Sequence, residues 1–443
     1  MLGTVVNWLC ILTTVILWIY VVYQTVLEIA GYLYIRRIRR FQQEMLFEMP
    51  ELPEVTLLVP AHNEEKVIEN TVLSLLALEY PANKLKVFVV NDASTDGTAR
   101  ILDRLAAQHS RVFVLHRTPE EGGKGKSAVL NHALRQITSD YVAIYDADNC
   151  PEPSAIKLLM VHFVNHPELG AVVGKFRTGN RRRNILTRFI NIEGLCYQGI
   201  IQAGRCQLFG VAMLTGTNYI IRRDVVEGIG GWDEEALTED ADLSARVYQA
   251  GFRIAYVPDS ISWEQEPETA RVWVTQRTRW ARGNLYVMGK LFRSLPTCPR
   301  KAILLEMLFM LTVPFYVLYT FTVAQCGLLL SFWQHHALPM PPIVNEGLFF
   351  SACLYVVQIV VALSYDDEDT LENLLVCLLA YYTYCQAWLI PLSMALFKEY
   401  VQKKQRTWDK TERFDTVLET ADTPMLTTSL VPVSDRIDAP IGK

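Results

Sequence analysis

The sequence predicts an α/β fold: a parallel sheet wound with helices on both faces, carried between apolar helices that belong in a bilayer. Three observations predict it. Between residues 52 and 300, short apolar runs of strand type alternate with stretches whose apolar residues recur at helical spacing. The polar residues with chemical potential fall just after those runs, on the rim where open α/β sheets bind ligands. The flanks of this region are long and nearly free of charge. Composition agrees. Of 443 residues, 51% are hydrophobic and only 20% charged, which is unusual for a soluble chain of this length. A formal charge of −5 argues against a nucleic-acid partner, and an aromatic content of 11% argues against disorder over most of the chain.

The elements follow in order. Residues 5–34 are apolar and end at Arg36, Arg37, Arg39 and Arg40. A cleavable signal would carry its charge in front, so this run reads as one membrane helix whose basic end is cytoplasmic. Strands are expected at 55–60, 86–91, 111–116 and 141–146, and helices at 65–79, 97–108 and 125–137. Residues 184–201 and the segment around 271–291 have helical spacing. In the latter, Trp273, Trp280, Val287 and Leu291 form a stripe that suggests a helix lying along the membrane. Apolar segments at 302–332 (containing Pro314), 343–364 and 372–397 read as further membrane helices, the first and second joined by a connector at 333–342.

The topology does not close. Three crossings would leave the tail outside, yet Lys398, Lys403, Lys404, Arg406, Lys410 and Arg413 favour the cytoplasm. Either one segment is re-entrant or the tail lies outside despite its charge. Residues beyond about Ala421 lack periodicity and read as disordered. The nine cysteines form no CxxC pair, several fall in apolar stretches, and the set fits reduced thiols better than a disulfide frame or zinc site.

Several clusters carry chemistry. Asp92 closes the second strand before a turn in which Asp96 suits a helix cap, leaving Asp92 for a ligand. Asp146 and Asp148 flank one residue at the end of the fourth strand, so both carboxylates can approach one cation. Mg2+ or Mn2+ takes one or two carboxylates together with substrate phosphates. Lys124 and Lys126 lie among Gly122, Gly123 and Gly125 at a helix start, an arrangement that can hold phosphate although its spacing is not a Walker motif. Thr238-Glu239-Asp240 opens another helical pattern, where capping competes with chemistry. Gln276 and Trp280 are four apart and share a helix face.

The ordered set VPAHNEE (59–65), NDASTDGT (91–98), GGKGKSAVLNHAL (122–134), DADN (146–149), TED (238–240) and QRTRW (276–280) resembles family-2 glycosyltransferases. Within them it is similar to the processive synthases of cellulose, hyaluronan, chitin and poly-β-1,6-N-acetylglucosamine. The resemblance covers roughly residues 50–300. It implies a GT-A (Rossmann-like) domain inserted between transmembrane helices, with the chain divided as follows: 1–40, N-terminal membrane helix; 50–265, cytosolic catalytic domain; 266–300, interfacial segment; 301–400, C-terminal membrane helices; 401–443, basic tail.

It further implies that Asp92 contacts the uridine of a UDP-sugar, with His62 and Glu64 lining that pocket. Lys124, Lys126 and Asp146 complete the donor site, and Asp146 and Asp148 hold the metal. Asp240 is the catalytic base, Arg279 neutralises the diphosphate, and Gln276 and Trp280 meet the acceptor. Thr215-Gly216-Thr217-Asn218 falls where such synthases line the acceptor site, but it departs from the pattern of several members, so it does not identify the acceptor. The expected partners are a UDP-sugar, most closely UDP-N-acetylglucosamine, a growing polysaccharide, the lipid bilayer of a multi-pass plasma-membrane protein, and an accessory membrane subunit for regulation. Rival readings are single-sugar transfer to a lipid or oligosaccharide, a cellulose-type glucan synthase, and a transporter or scaffold with an inactive domain.

Overall fold

The computed structural model describes residues 2–47, 51–298, 300–333 and 342–404, together with Thr411 and Phe414. Its centre is an eight-stranded sheet: β1 (Val55–Ala61), β2 (Leu85–Asp92), β3 (Val112–Arg117), β4 (Tyr141–Ile144), β5 (Cys150–Pro151), β6 (Leu169–Thr178), β7 (Tyr219–Arg222) and β8 (Arg253–Glu264). The spatial order is β3-β2-β1-β4-β7-β6-β8-β5. The first four strands pair in parallel as expected. The sheet as a whole is mixed, because β7 runs antiparallel to both β4 and β6, and β5 antiparallel to β8. β6 and β8 are parallel to each other, so six carboxyl ends reach one rim, along with the start of β7.

Both sheet faces are covered, which is why the strands read as almost continuous apolar runs. Leu58, Val90, Ile144 and Ile221 join one core cluster, and Leu57, Val59, Val89 and Ile220 the other, alternating with the two-residue period of a strand. Each such fully buried aliphatic side chain contributes about 1.5–3 kcal/mol.

The N-terminal helix is Leu2–Phe47, 46 residues and so about 69 Å long. Its C-terminal third lies on the domain. Tyr34 Oη donates to the Tyr256 carbonyl at 2.7 Å, and Arg39 pairs with Asp259 at 3.1 Å. Higher up, it packs against the bent helix that runs from Ile185–Cys196 through a π turn to Ala203–Phe209. A Cβ on Gly204 would stand 2.2 Å from the Leu27 carbonyl oxygen, and one on Gly31 2.7 Å from that of Gly199. Small residues permit this backbone approach.

Among the described residues, one helix (Ile11–Met45) is long and apolar enough to cross a membrane. Helices Lys301–Trp333, which accommodates Pro314, and Pro342–Ser364 follow; the connector between them lies outside the described residues. The third apolar segment is a bent pair, Leu371–Tyr381 and Tyr384–Val401, with 42° between its halves. Cys150, Cys196, Cys206, Cys298, Cys353, Cys377 and Cys385 are free thiols.

Two expectations need correction. The sheet is not purely parallel, because a strand's direction depends on how its connection returns, and the connection into β7 is invisible in a local pattern. Second, the stripe on helix Ala270–Ser294 is not a lipid-facing surface. Trp273, Val287 and Leu291 are buried, Trp273 donating to Tyr384 Oη at 3.1 Å. An apolar stripe meets protein or lipid equally well, so helical spacing alone does not choose between them.

Candidate active site

The strand ends carry the carboxylates to one rim. Asp92, at the end of β2, is almost fully buried and paired with Arg117 from the end of β3 at 2.6 Å. Gly123 N–H donates to its other oxygen at 3.2 Å. His62 Nδ1 donates to the Asp92 carbonyl at 2.6 Å, tying the β1 loop to the β2 end. Glu64, in the same loop, is buried, and its backbone N–H is held by Thr98 Oγ1 at 2.8 Å. Asp96 Oδ1 accepts the Thr98 N–H at 3.0 Å, although the N-cap position of the helix Thr98–Gln108 is Gly97, which makes no side-chain cap bond.

Two strand spacings away, about 10 Å, the chain leaves β4 through Tyr145 to Asp146 and Asp148. Asn149 Oδ1 accepts the Asp146 N–H at 2.9 Å, and Thr217 Oγ1 meets the same N–H at 3.2 Å. Asp148 is buried and accepts the Gln265 N–H, just past β8, at 3.3 Å.

Lys126 organises the centre. Its ammonium sits 2.6 Å from Asp146 Oδ1 and 3.3 Å from Glu239 Oε1, and donates to the Gly216 carbonyl at 2.7 Å. Burial opposes its charge, but Asp146 and then Glu239 outweigh that and hold its pKa above the ordinary lysine range. Gly216 has a φ of +81° (a conformation suited to glycine). A Cβ there would lie 3.6 Å from Asp240 Oδ2 and 3.7 Å from Lys126 Nζ, so these two groups face each other across that loop. Burial, and then the neighbouring Glu239 carboxylate, push Asp240 up to about 7. Thr238 makes no side-chain cap bond, but Asp240 Oδ1 accepts the Ala241 N–H at 2.9 Å, so one of its oxygens serves the first turn of the helix Glu239–Gln249 while Oδ2 faces the Gly216 loop.

The helix Ala270–Ser294 is seated on that turn. A Cβ on Gly283 would stand 2.6 Å from Thr238 Oγ1, 2.7 Å from its Cγ2 and 2.8 Å from its backbone nitrogen. Gln276, Arg279, Trp280 and Gly283 recur at helical spacing, so the face bearing the motif is turned toward Thr238–Asp240. The Arg277 guanidinium lies 4.0 Å from the Trp280 ring centroid. It is paired with Glu193 at 2.9 Å and donates to Gln276 Oε1 at 2.7 Å. Gln276 therefore holds the group that supports Trp280. The tail also returns here. Gln265 exchanges two hydrogen bonds with the Phe414 backbone, at 2.9 and 2.7 Å, and Arg279 reaches Thr411 Oγ1 at 3.5 Å.

His62, Glu64, Asp92, Lys126, Asp146, Asp148, Asp240, Gln276, Arg279 and Trp280 thus belong to one rim and the helix that faces it. Lys124 is exposed and makes none of the contacts described for Lys126. Arg117, Asn149, Thr217, Glu239, Gln265, Arg277 and Gly283 were missed. Asn149, Thr217, Glu239 and Arg277 lay inside the quoted segments without a role of their own, and nothing in the local pattern marked Arg117, Gln265 or Gly283. No group of three or more His, Cys, Asp or Glu gathers as a metal cage among the described residues. Asp146 and Asp148 form an all-oxygen pair, the donor set a hard divalent cation accepts when phosphates and water complete its shell.

The chain is similar to several known proteins. The family described as "Glycosyltransferase like family 2" matches residues 53–283. The chain is 36% identical to "Probable glycosyltransferase YdaM" of Bacillus subtilis (strain 168), over 92% of this chain and 98% of that protein. It is 30% identical to the poly-beta-1,6-N-acetyl-D-glucosamine synthase of Staphylococcus aureus (strain COL), over 62% of this chain and 66% of that protein. Among solved structures, it shares its fold with the mannosyltransferase PcManGT of Pyrobaculum calidifontis in complex with GDP-Man and Mn2+. That match has a TM-score of 0.52 and 22% identity, over 88% of this chain and all of the other.

Proposed function

Because the chain belongs to the family-2 glycosyltransferases, and is a glycosyltransferase, we propose that it polymerises a sugar, N-acetylglucosamine, from a UDP-sugar by inverting displacement at the rim described above. One observation carries the reading: an aspartate poised near neutral pH, Asp240, beside Lys126 and under the helix of Gln276, Arg279 and Trp280. Asp92 and Arg117 would receive the nucleoside, whose diphosphate would extend across two strand spacings toward Asp146 and Lys126. A divalent cation held by Asp146 and Asp148 would supply charge compensation to the diphosphate.

Lys126 and Arg279 would take up charge on the departing group, Arg279 through the planar fork that suits phosphate oxygens. Asp240 would remove the acceptor hydroxyl proton as that oxygen attacks the anomeric carbon. The C1–O bond to the diphosphate breaks in the same step, through an oxocarbenium-like state. Trp280, backed by Arg277, would present a flat face to the acceptor sugar. The synthase relative supports the choice of sugar and a growing polymer as acceptor.

Asp240→Asn should leave UDP binding within a few-fold and abolish transfer; near-normal turnover in that variant would refute the assignment of the base. Product length from UDP-N-acetylglucosamine separates polymerisation from single addition.

The same reading gives the topology: three crossings, by the N-terminal helix and by helices Lys301–Trp333 and Pro342–Ser364, with a re-entrant third apolar segment and a cytoplasmic tail. Ion pairs at both ends of that segment support it. Asp366 pairs with Lys175 of β6, and Glu368 with Arg177 at 2.7 Å and Arg181 at 3.0 Å. At the far end, Arg282 meets Glu399 at 3.3 Å and donates to the Lys404 carbonyl at 2.6 Å. Even the bend is held, Tyr384 donating to Glu193 at 2.7 Å. Single cysteines at Asp369 and Lys404 in a variant lacking reactive native thiols should label from the cytoplasmic side only; labelling of Lys404→Cys from outside would overturn the topology.

A further inference from the structure

A cavity of about 740 Å3 opens where the N-terminal helix, the end of helix Ala203–Phe209 and the start of helix Lys301–Trp333 converge. Four of its lining side chains are cationic, Arg37, Arg253, Arg300 and Lys301, and none is acidic. None of the four is ion-paired among the described residues. Arg300 spends its donors on the Phe252 and Gly251 carbonyls, and Arg37 lies 5.4 Å from the Tyr34 ring centroid. Gln207, also on the wall, has a buried side-chain oxygen without a hydrogen-bond partner.

Four uncompensated cations around one concavity raise its affinity for an anion. Their place in the chain says which anion. Ile29 and Leu33 of the N-terminal helix are exposed just before Arg37, and Leu208 and Phe209 are exposed beside the cavity. An apolar surface therefore stops where the basic residues begin, as it does where hydrocarbon meets headgroups.

From this juxtaposition we infer that the cavity binds the phosphate of an anionic phospholipid from the cytoplasmic leaflet, with an acyl chain along Phe209. A soluble phosphate would account for the cations but not for the apolar wall. The inference rests on the membrane reading above and is independent of the transfer chemistry.

The test uses the full chain in detergent with equimolar phosphatidylglycerol and phosphatidylcholine, the retained adducts being compared by native mass spectrometry. Phosphatidylglycerol should be retained in preference. Arg253→Gln with Lys301→Gln should weaken its apparent affinity about 30-fold, at roughly fivefold for each basic side chain near a membrane surface. Arg253→Lys with Lys301→Arg should retain it. Equal retention of the two lipids by the wild type overturns the proposal without reference to any variant. So does an unchanged preference in the double glutamine variant, or loss of the adduct to millimolar inorganic phosphate, which would make this a soluble-phosphate site. Flotation of the wild type with liposomes tests the membrane reading separately, and UDP release from the same preparation tests the transferase reading.

Discussion

Gly283→Ala probes the seat on which the site depends. The added Cβ would stand 2.6 Å from Thr238 Oγ1 and 2.8 Å from the Thr238 backbone nitrogen. Reaching an ordinary contact of 3.4 Å from the backbone nitrogen requires about 0.6 Å of separation between the motif helix and the Thr238 turn. Rotation of the Thr238 side chain relieves two of the three contacts; the backbone nitrogen cannot rotate away. Overpacking of this kind costs about 1–3 kcal/mol of stability. Its effect on turnover should be larger, because Arg279 and Trp280 lie one turn before Gly283, and Asp240 two residues after Thr238. A displacement near 1 Å between reacting groups costs about 100-fold. The assay is UDP release at saturating donor, with UDP affinity measured separately. The variant should lose about 100-fold in kcat while UDP affinity falls by a much smaller factor, since Asp92, Arg117 and Lys126 lie on other elements and only Arg279 moves with this helix. Thr238→Gly in the same chain should return part of the loss. If Gly283→Ala keeps wild-type kcat, the helix does not fix the geometry of Asp240, and the proposed site fails at its centre.

Three further outcomes are expected. If Asp240 is the base, kcat/KM should rise with pH through about 7, because its raised pKa leaves it protonated below that value. The same shift means the folded chain holds this proton more tightly than the unfolded one, so its contribution to stability falls as pH rises from about 4 to 7. A profile flat from pH 5.5 to 8 counts against the assignment. Arg117→Ala leaves the Asp92 carboxylate buried and uncompensated, which should cost about 3–5 kcal/mol and lower Tm. Arg117→Met with Asp92→Leu should recover Tm but not UDP binding, and an unchanged Tm in the single variant refutes the pairing. Gly204→Ala should detach the N-terminal helix, its Cβ falling 2.2 Å from the Leu27 carbonyl oxygen. A monodisperse variant of wild-type Tm in size-exclusion and thermal-shift assays would show that the close approach is dispensable.

The sequence by itself determined the strands and helices of the first half of the domain, and with them the places of Asp92, Asp146 and Asp148. These are local facts. A two-residue or 3.6-residue period needs only neighbouring positions, and a carboxylate after an apolar strand goes where the strand ends. It also pointed to Thr238–Asp240 and Gln276–Trp280, though only through resemblance, since each motif has a bland structural reading. What only the tertiary structure decided is pairing across long separations: Arg117 on Asp92, Lys126 between Asp146 and Glu239, Gly283 beneath Thr238, and Phe414 on Gln265 from 149 residues away. It likewise showed the Trp273 stripe buried in protein. It also paired Asp366 with Lys175 and Glu399 with Arg282, at the two ends of the third apolar segment, and a hydropathy pattern carries no information about the partner of a charge. Local periodicity fixes which residues reach the rim, whereas the electrostatics there depend on which distant side chains the fold brings within about 3 Å of them.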